Sequence, residues 1–389
     1  MGSLLITNGK IVTPNTIVEG SLAIENGRIA FIGEVPAYFQ ADHTIDAEGM
    51  HVTPGMIETH CDAIEKEMEP RPNTFFPLDM AMKEMERKLA GNGITTIYHS
   101  ISLSDGSGIR GDEQSIKLMN NIDEHRRSSP SMVRHRIHLR YEVTNRRALP
   151  TIQAFIDEKK MDLLSFMDHS PGQGQFKSMD SFHHFTKAFY NITEEEAQRM
   201  TEEVLKLKQK VDWDELKQVA QEAYAKGISL ASHDDDTVEK IDYMLKDFPV
   251  NISEFPITME AAKHAKDQGL FVSVGAPNIV RGFSHSGNMR AIDAIIAGNA
   301  NMICSDYHPS ALFPAVIEVH RQGIPLPEAM KMVSTYPAES LGIASDRGSI
   351  EVGKQADVLL IDLNDTYPAV RQTIVNGNIV YQSQLSMMG

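Results

Sequence analysis

Cysteine is nearly absent from this chain of 389 residues: there are two, Cys61 and Cys304, far apart and in no CxxC pair. A disulfide framework is therefore not expected, and a reducing cytoplasm is the expected compartment. No run of about eighteen apolar residues occurs, so no membrane span is expected. The opening stretch, MGSLLITNGKIVTP, lacks the apolar core and cleavage site of a signal peptide. Positive charge is in deficit, with 37 Lys and Arg against 53 Asp and Glu and a net charge of −16. That balance argues against nucleic acid or an anionic membrane as a partner held by bulk electrostatics. It leaves room for a small phosphorylated substrate, which needs only a local cluster of donors or metals. No GxGxxG follows a first strand, which counts against a dinucleotide-binding open sheet.

What is present is an ordinary globular composition, 41% hydrophobic and 23% charged. Residues 3–34 and 347–381 share one texture: short Val- and Ile-rich runs with turn signals at Asn8-Gly9, Pro14-Asn15, Asn26-Gly27 and Asn376-Gly377. The two ends are expected to build one small β-sandwich domain, residues 1–51 plus 345–389. Between them, over 52–344, eight apolar runs alternate with helical stretches such as PLDMAMKEMERKLAGNG. The runs are HVTPGMIETH, GITTIYHSI, HRIHLRYEV, DLLSFMDHS, GISLASHDD, VNISEFP, GLFVSVGAP and NMICSDY. Strand–helix alternation at this length predicts an α/β fold, a (β/α)8 TIM-like barrel. The fourth unit, from about Asp168 to Gly227, is long enough to add helices for a lid or a dimer contact.

Active sites of such barrels lie at the C-terminal ends of the strands. The first run ends in His60 and Asp62, which period-two alternation points the same way. The third ends in Glu142, the fourth in Asp168 and His169, the fifth in His233, the sixth in Glu254 and the eighth in Asp306. Singly, each is explained as a turn former, a cap or a hydrogen-bonded imidazole. At least two of Asp234, Asp235 and Asp236 read as the capped start of a helix. Together, these ends converge on one mouth, where clustered carboxylates repel unless a cation neutralises them. Nitrogen and oxygen donors without thiolate suit divalent zinc, manganese or iron, and two such ions can share and deprotonate a water.

These motifs resemble the amidohydrolase superfamily, which shares the HxD at the first strand, the strand-eight aspartate and the terminal GSIEVGKQADVLLID. Within it the chain is similar to the phosphonate-utilisation hydrolases of the carbon–phosphorus lyase pathway, through PGMIETHCDAIEKEMEPRP, GITTIYHSIS, HRIHLRYEV, SFMDHSPGQGQF, ASHDDDT, EFPITMEAA, GAPNIVRGFSHSGN and SDYHPSALFPA. The resemblance implies release of pyrophosphate from α-D-ribose 1-methylphosphonate 5-triphosphate by a cytoplasmic homodimer carrying two divalent ions per subunit. It implies His60, Asp62, His233 and Asp306 at the metals, Glu142 as bridging carboxylate and Glu254 in a sixth-strand place where many relatives have histidine. Asp306 would also orient or deprotonate the attacking water, and Asp168 and His169 are further ligand or substrate candidates. Phosphate contacts are expected from Lys66, Arg71, His169, Gln173, Gln175, Lys177, Asn278, Arg281, His285 and Ser286. Two residues depart from the branch: Cys61, read as a small packed side chain, and His308, a candidate substrate contact. The competing reading is an amidohydrolase acting on a C–N or ester bond, such as a deaminase, deacetylase or lactonase, since the same metal site would serve it.

Overall fold

The computed structural model describes residues 2–106, 108–172, 179–190, 192–284, 287–364 and 368–384. The N-terminal stretch forms β1 (Ser3–Val12), β2 (Ile17–Glu25), β3 (Arg28–Gly33), β4 (His43–Asp46) and β5 (His51–Pro54). The Asn26-Gly27 turn between β2 and β3 has both residues at positive φ (52° and 78°), the geometry a tight hairpin requires. Asn8-Gly9, expected as a turn, is instead an irregularity inside β1: the register against β2 jumps between Ile6 and Gly9 and the strand continues.

The barrel follows as β6 (Met56–Cys61), β7 (Ile94–Leu103), β8 (Arg134–Glu142), β9 (Leu163–Met167), β10 (Ser229–His233), β11 (Ile252–Glu254), β12 (Phe271–Gly275) and β13 (Met302–Cys304). Each strand pairs in parallel with the next, and a parallel bridge between Cys61 and Asp306 joins the last to the first. The run HVTPGMIETH is thus two strands, β5 in the terminal sheet and β6 in the barrel. Gly55 makes the bend: a Cβ there would stand 2.4 Å from Thr95 Cγ2.

The chain returns to the terminal sheet as β14 (Val358–Asp362), β15 (Ala369–Val375) and β16 (Asn378–Gln382), in the order β16-β15-β14-β5-β1-β2-β3 with β4 beside β1. Leu4, Ile6, Leu22, Ile24, Val358, Leu360 and Ile374 fill its core. Arg134 at the start of β8 ties barrel to sheet through two bonds to Asp357, at 2.6 and 3.0 Å.

Among the helices, Leu78–Gly91 buries Ala81, Met82, Met85, Leu89 and Ala90 at helical spacing against the barrel. The long polar stretch after Thr193 breaks into two helices, Glu194–Lys208 and Trp213–Ala225. The first begins with a capping box in which Thr193 Oγ1 accepts the Glu196 N–H while Glu196 accepts the Thr193 N–H. Asp212 caps the second by accepting the Glu215 N–H at 3.1 Å. Among the described residues no helix is long and apolar enough to cross a membrane.

The seam that closes the barrel carries polar groups in place of a regular ladder. Asp306 N–H donates to His60 O (2.9 Å), and Asp62 N–H donates to Asp306 O (3.0 Å). Beneath them the fully buried Glu58 accepts the His60 N–H and the Ser305 N–H, both at 2.7 Å. Glu58→Ala strips two buried N–H groups of their acceptor, a loss of roughly 2–4 kcal/mol. Glu58→Gln keeps one acceptor oxygen and is expected to lose about half of that. Denaturant midpoints ordered wild type, Gln, Ala are the expected result; an Ala variant as stable as wild type would remove Glu58 from the seam.

Candidate active site

The mouth of the barrel is a cavity of about 480 Å³. Glu65, on the short helix Ile64–Met68, lines it together with six acid or imidazole groups from strand ends: His60, Asp62, His169, His233, Asp234 and Asp306. They come from the ends of β6, β9, β10 and β13, so residues nearly 250 positions apart in sequence share one wall.

Two glutamates stand behind this wall. Glu254, at the end of β11, is 1% exposed and does not line the cavity. Its Oε1 accepts from His60 Nδ1 at 3.2 Å and its Oε2 from His233 Nδ1 at 3.4 Å. A carboxylate only accepts, so this contact places the proton of each ring on Nδ1 and leaves each Nε2 with a bare lone pair. Glu142 does the same for His169: it accepts the ring's Nδ1–H at 2.8 Å and the backbone N–H at 3.1 Å. His169 Nε2 and His233 Nε2 then each stand 3.8 Å from an oxygen of Asp234.

Burial governs the charge states. It holds His60 well below its ordinary pKa and brings His233 down to about 3. Burial, reinforced by Asp62, pushes the Asp306 carboxyl up to about 7, and burial also raises Asp234. For His169 burial acts downward, and Glu142 and Asp234 outweigh it to raise the pKa. His60 and His233, held neutral, offer lone pairs, and a cation beside Asp306 and Asp234 would favour their ionised forms. Two overlapping groups, His60–His233–Glu254 and His169–His233–Asp234, each bring their ligand atoms within 4.8 Å of one another. The first group is already joined by the Nδ1–H bonds to Glu254, so the second, whose Nε2 atoms and Asp234 face the cavity, is the one that fits a divalent cation of the zinc, manganese or iron type.

The same cavity is lined by four cations, Lys66, Arg110, Arg140 and Arg281. Arg110 donates to Asp62 Oδ2 and to Glu65 Oε2, both at 2.8 Å. Arg140 Nη1 is 4.0 Å from the same Asp62 oxygen, and its buried Nε has no hydrogen-bond partner among the described residues. Arg281 stacks on Phe283, 4.5 Å from the ring centroid, and Lys66 lies 5.3 Å over Tyr307.

Of the other residues expected at the site, Asn278 lines the cavity but spends its amide on Met289 O and the Ala291 N–H. Arg71, Asp168 and His308 do not line it. Asp168 accepts the Ser170 N–H and pairs with Lys208 at 3.4 Å, while Arg71 and His308 are exposed. Gln173, Gln175, Lys177, His285 and Ser286 lie outside the described residues. Cys61 sits in the main apolar core, turned away from His60 and Asp62. Sequence reasoning missed Asp234, Arg110 and Arg140. Arg140 was findable: His138, Arg140 and Glu142 share one face of β8 by simple alternation. The helix after β10 is capped by Thr237, not by an aspartate, while Asp235 is buried and accepts from Ser232 Oγ at 2.6 Å and Ser253 Oγ at 2.5 Å.

The profile of the Amidohydrolase family matches residues 177–381. The chain is 35% identical over 371 residues to the alpha-D-ribose 1-methylphosphonate 5-triphosphate diphosphatase of Escherichia coli (strain K12), covering 94% of this chain and 96% of that protein. Solved structures agree in fold at lower identity. The N-acetylglucosamine-6-phosphate deacetylase of Pasteurella multocida superposes with a TM-score of 0.61 at 14% identity, over 97% of this chain and 99% of that one. The L-hydantoinase of Arthrobacter aurescens gives 0.63 at 16%, over 98% and 96%.

Glu254→Gln gives one imidazole an amide N–H where it had an acceptor. Metal affinity, read by competition with a chromophoric chelator, is expected to fall about 10–100-fold. An unchanged affinity would mean that Glu254 does not orient the rings.

Proposed function

The chain belongs to the amidohydrolase family and is a hydrolase, and from that premise we propose that it releases pyrophosphate from α-D-ribose 1-methylphosphonate 5-triphosphate, in phosphonate catabolism. The observation that carries this reading is the pairing of the acid and imidazole wall with four cationic side chains in one cavity, Lys66, Arg110, Arg140 and Arg281. A triphosphate needs such a cradle, and guanidinium groups grip phosphoryl oxygens with paired N–H bonds.

His60, Asp62, His169, His233 and Asp234 are the residues that would hold the cations. Divalent ions bound there would supply Lewis acidity, lowering the pKa of water and neutralising phosphoryl oxygens. Glu142 and Glu254 keep the imidazoles aimed from behind. Asp306 takes the proton from water as the oxygen bonds to the α-phosphorus. The α–β anhydride bond breaks, pyrophosphate leaves, and Asp306 returns the proton to the departing oxygen or to solvent. Arg140 and Arg110 face the developing charge, and Arg281 and Lys66 hold the outer phosphates. The competing C–N or ester hydrolysis draws support from the apolar share of the lining, Phe255, Pro256, Val274, Pro277 and Met289, which would suit a cyclic amide.

The deciding experiment follows pyrophosphate release by the metal-loaded enzyme from ribose and nucleoside triphosphates, with cyclic amides and neutral esters as controls. Turnover of the controls without pyrophosphate release from any triphosphate would sink the proposal. Chelation is expected to abolish activity and divalent metal to restore it. Asp306→Asn is expected to lower turnover at least about 100-fold with metal still bound; near-normal turnover would remove Asp306 from proton transfer. Arg281→Ala is expected to raise KM for the triphosphate more than for an uncharged ester, and equal shifts would count against its phosphate contact.

A further inference from the structure

On the outer face of the barrel wall, β7 and β8 present a second group of imidazoles. Ser100 and His138 meet at 3.0 Å on the inner face. His99 and His135, at odd offsets from them, therefore face the opposite way, toward the helices Leu78–Gly91 and Asp112–Ser128. Those helices bring Glu86 and His125. All four are buried: His99 is 0% exposed, Glu86 1%, His135 2% and His125 6%. Glu86 Oε1 lies 2.8 Å from His125 Nε2, 3.1 Å from His135 Nε2 and 2.6 Å from Ser131 Oγ. His135 Nδ1 meets His99 Nε2 at 2.9 Å, and His99 Nδ1 has no hydrogen-bond partner among the described residues.

We propose that Glu86, His125 and His135 form a second metal site, separate from the catalytic cavity, that takes a divalent transition-metal ion such as zinc. Their ligand atoms lie within 4.8 Å of one another, and two imidazoles with one carboxylate are a zinc donor set. Ligands around a tetrahedral zinc stand roughly 3.4 Å apart. The 2.8 and 3.1 Å separations here are a few tenths of an ångström shorter, a difference that small side-chain rotations remove. The Ser131 hydroxyl or a water completes the fourth position. His99 supplies the outer hydrogen bond that a metal-bound imidazole keeps on its other nitrogen. Lys83 does not block the site, because its Nζ contacts the other carboxylate oxygen, Glu86 Oε2, at 3.2 Å. A surface cavity of about 470 Å³ reaches Ser131 and His135, although Arg126, Arg127, Arg134 and Arg136 also line it. An ion there would fasten β8 to two helices, so its binding energy would be folding energy.

The rival account is a hydrogen-bond network around Glu86 with no ion. To separate the two, the full-length chain carrying His60→Ala and His233→Ala, which disables the catalytic cavity as a metal site, is equilibrated with zinc, gel-filtered and analysed for metal. The expected result is one zinc per chain that disappears when Glu86→Gln or His125→Gln is added. Zinc is also expected to raise the Tm of the double variant and not of either triple variant. The second triple variant guards against misfolding of the first. No zinc on the double variant, or zinc that survives both added substitutions, would overturn the proposal.

Discussion

The contact on which the site depends is the seam between β6 and β13. A barrel needs its first strand to meet its last, and here the meeting is brief: two backbone bonds among His60, Asp62 and Asp306, and the Ser305 N–H donated to the Glu58 carboxyl. Three of the residues that close the sheet, His60, Asp62 and Asp306, also face the cavity. His60 gives its carbonyl to the seam and its ring to the wall, and Asp306 gives its N–H and carbonyl to the seam and its carboxyl to the mouth. Closure and catalytic geometry are therefore one constraint. Glu58 sits beneath them with its carboxyl pushed up to about 8 by burial, against the pull of its two N–H partners. A charge is costly in that place, and both of its oxygens are engaged.

Around this seam the site is arranged in two depths. The groups that reach the cavity are held from behind by groups that do not. Glu254 spans two imidazoles from different strands, and Glu142 fixes a third. Below them, His138 contacts Ser100, Ser165 and the Thr59 carbonyl and stacks edge-on against His60 at 5.1 Å. Imidazole orientation is thus set before any ligand arrives, which lowers the reorganisation that binding and chemistry require. Asp62 links the acid and cationic groups: Arg110 holds it directly, and Arg140 stands at the edge of contact. Anionic substrate oxygens would compete with Asp62 for both arginines, so Asp62 holds the guanidinium groups in place before a substrate arrives.

Much of this was legible in the sequence, and the exceptions have physical causes. The eight barrel strands were readable because short β-like runs alternate with helical stretches, even where, as in β8, charged residues alternate with apolar ones, and the strand-end acids and histidines followed from that. The break at Asp212 was not, because the helical pattern runs through it and only the cap contact marks it. Asn8-Gly9 has turn chemistry, yet pairing on both sides carries the strand through it as a bulge. Arg110 comes from the loop after β7, and where a loop folds back is a tertiary fact with no local signal. Glu254 was legible as a strand-end acid, while its place behind the imidazoles depends on how deep β11 ends relative to β6 and β10.

Asp234 was missed for a more instructive reason. Alternation along an extended strand puts neighbours on opposite faces, so His233 and Asp234 should not both see the cavity, yet they do. Asp234 has φ 51°, the left-handed region, directly after β10. The same occurs at Phe255 (φ 54°) after β11 and at Asp306 (φ 57°) beyond β13. Each such residue costs roughly 1–2 kcal/mol relative to ordinary backbone. What the molecule gains is a reset of the alternation at the strand end, which turns the next side chain into the mouth. Three left-handed positions around one cavity mark a site assembled against local preference. The backbone bonds Asp234 N–H to Glu254 O, Phe255 N–H to Ser273 O and Asp306 N–H to His60 O hold those turns in place. Each joins one strand end to a neighbouring strand, so the left-handed turns persist only while the barrel is closed.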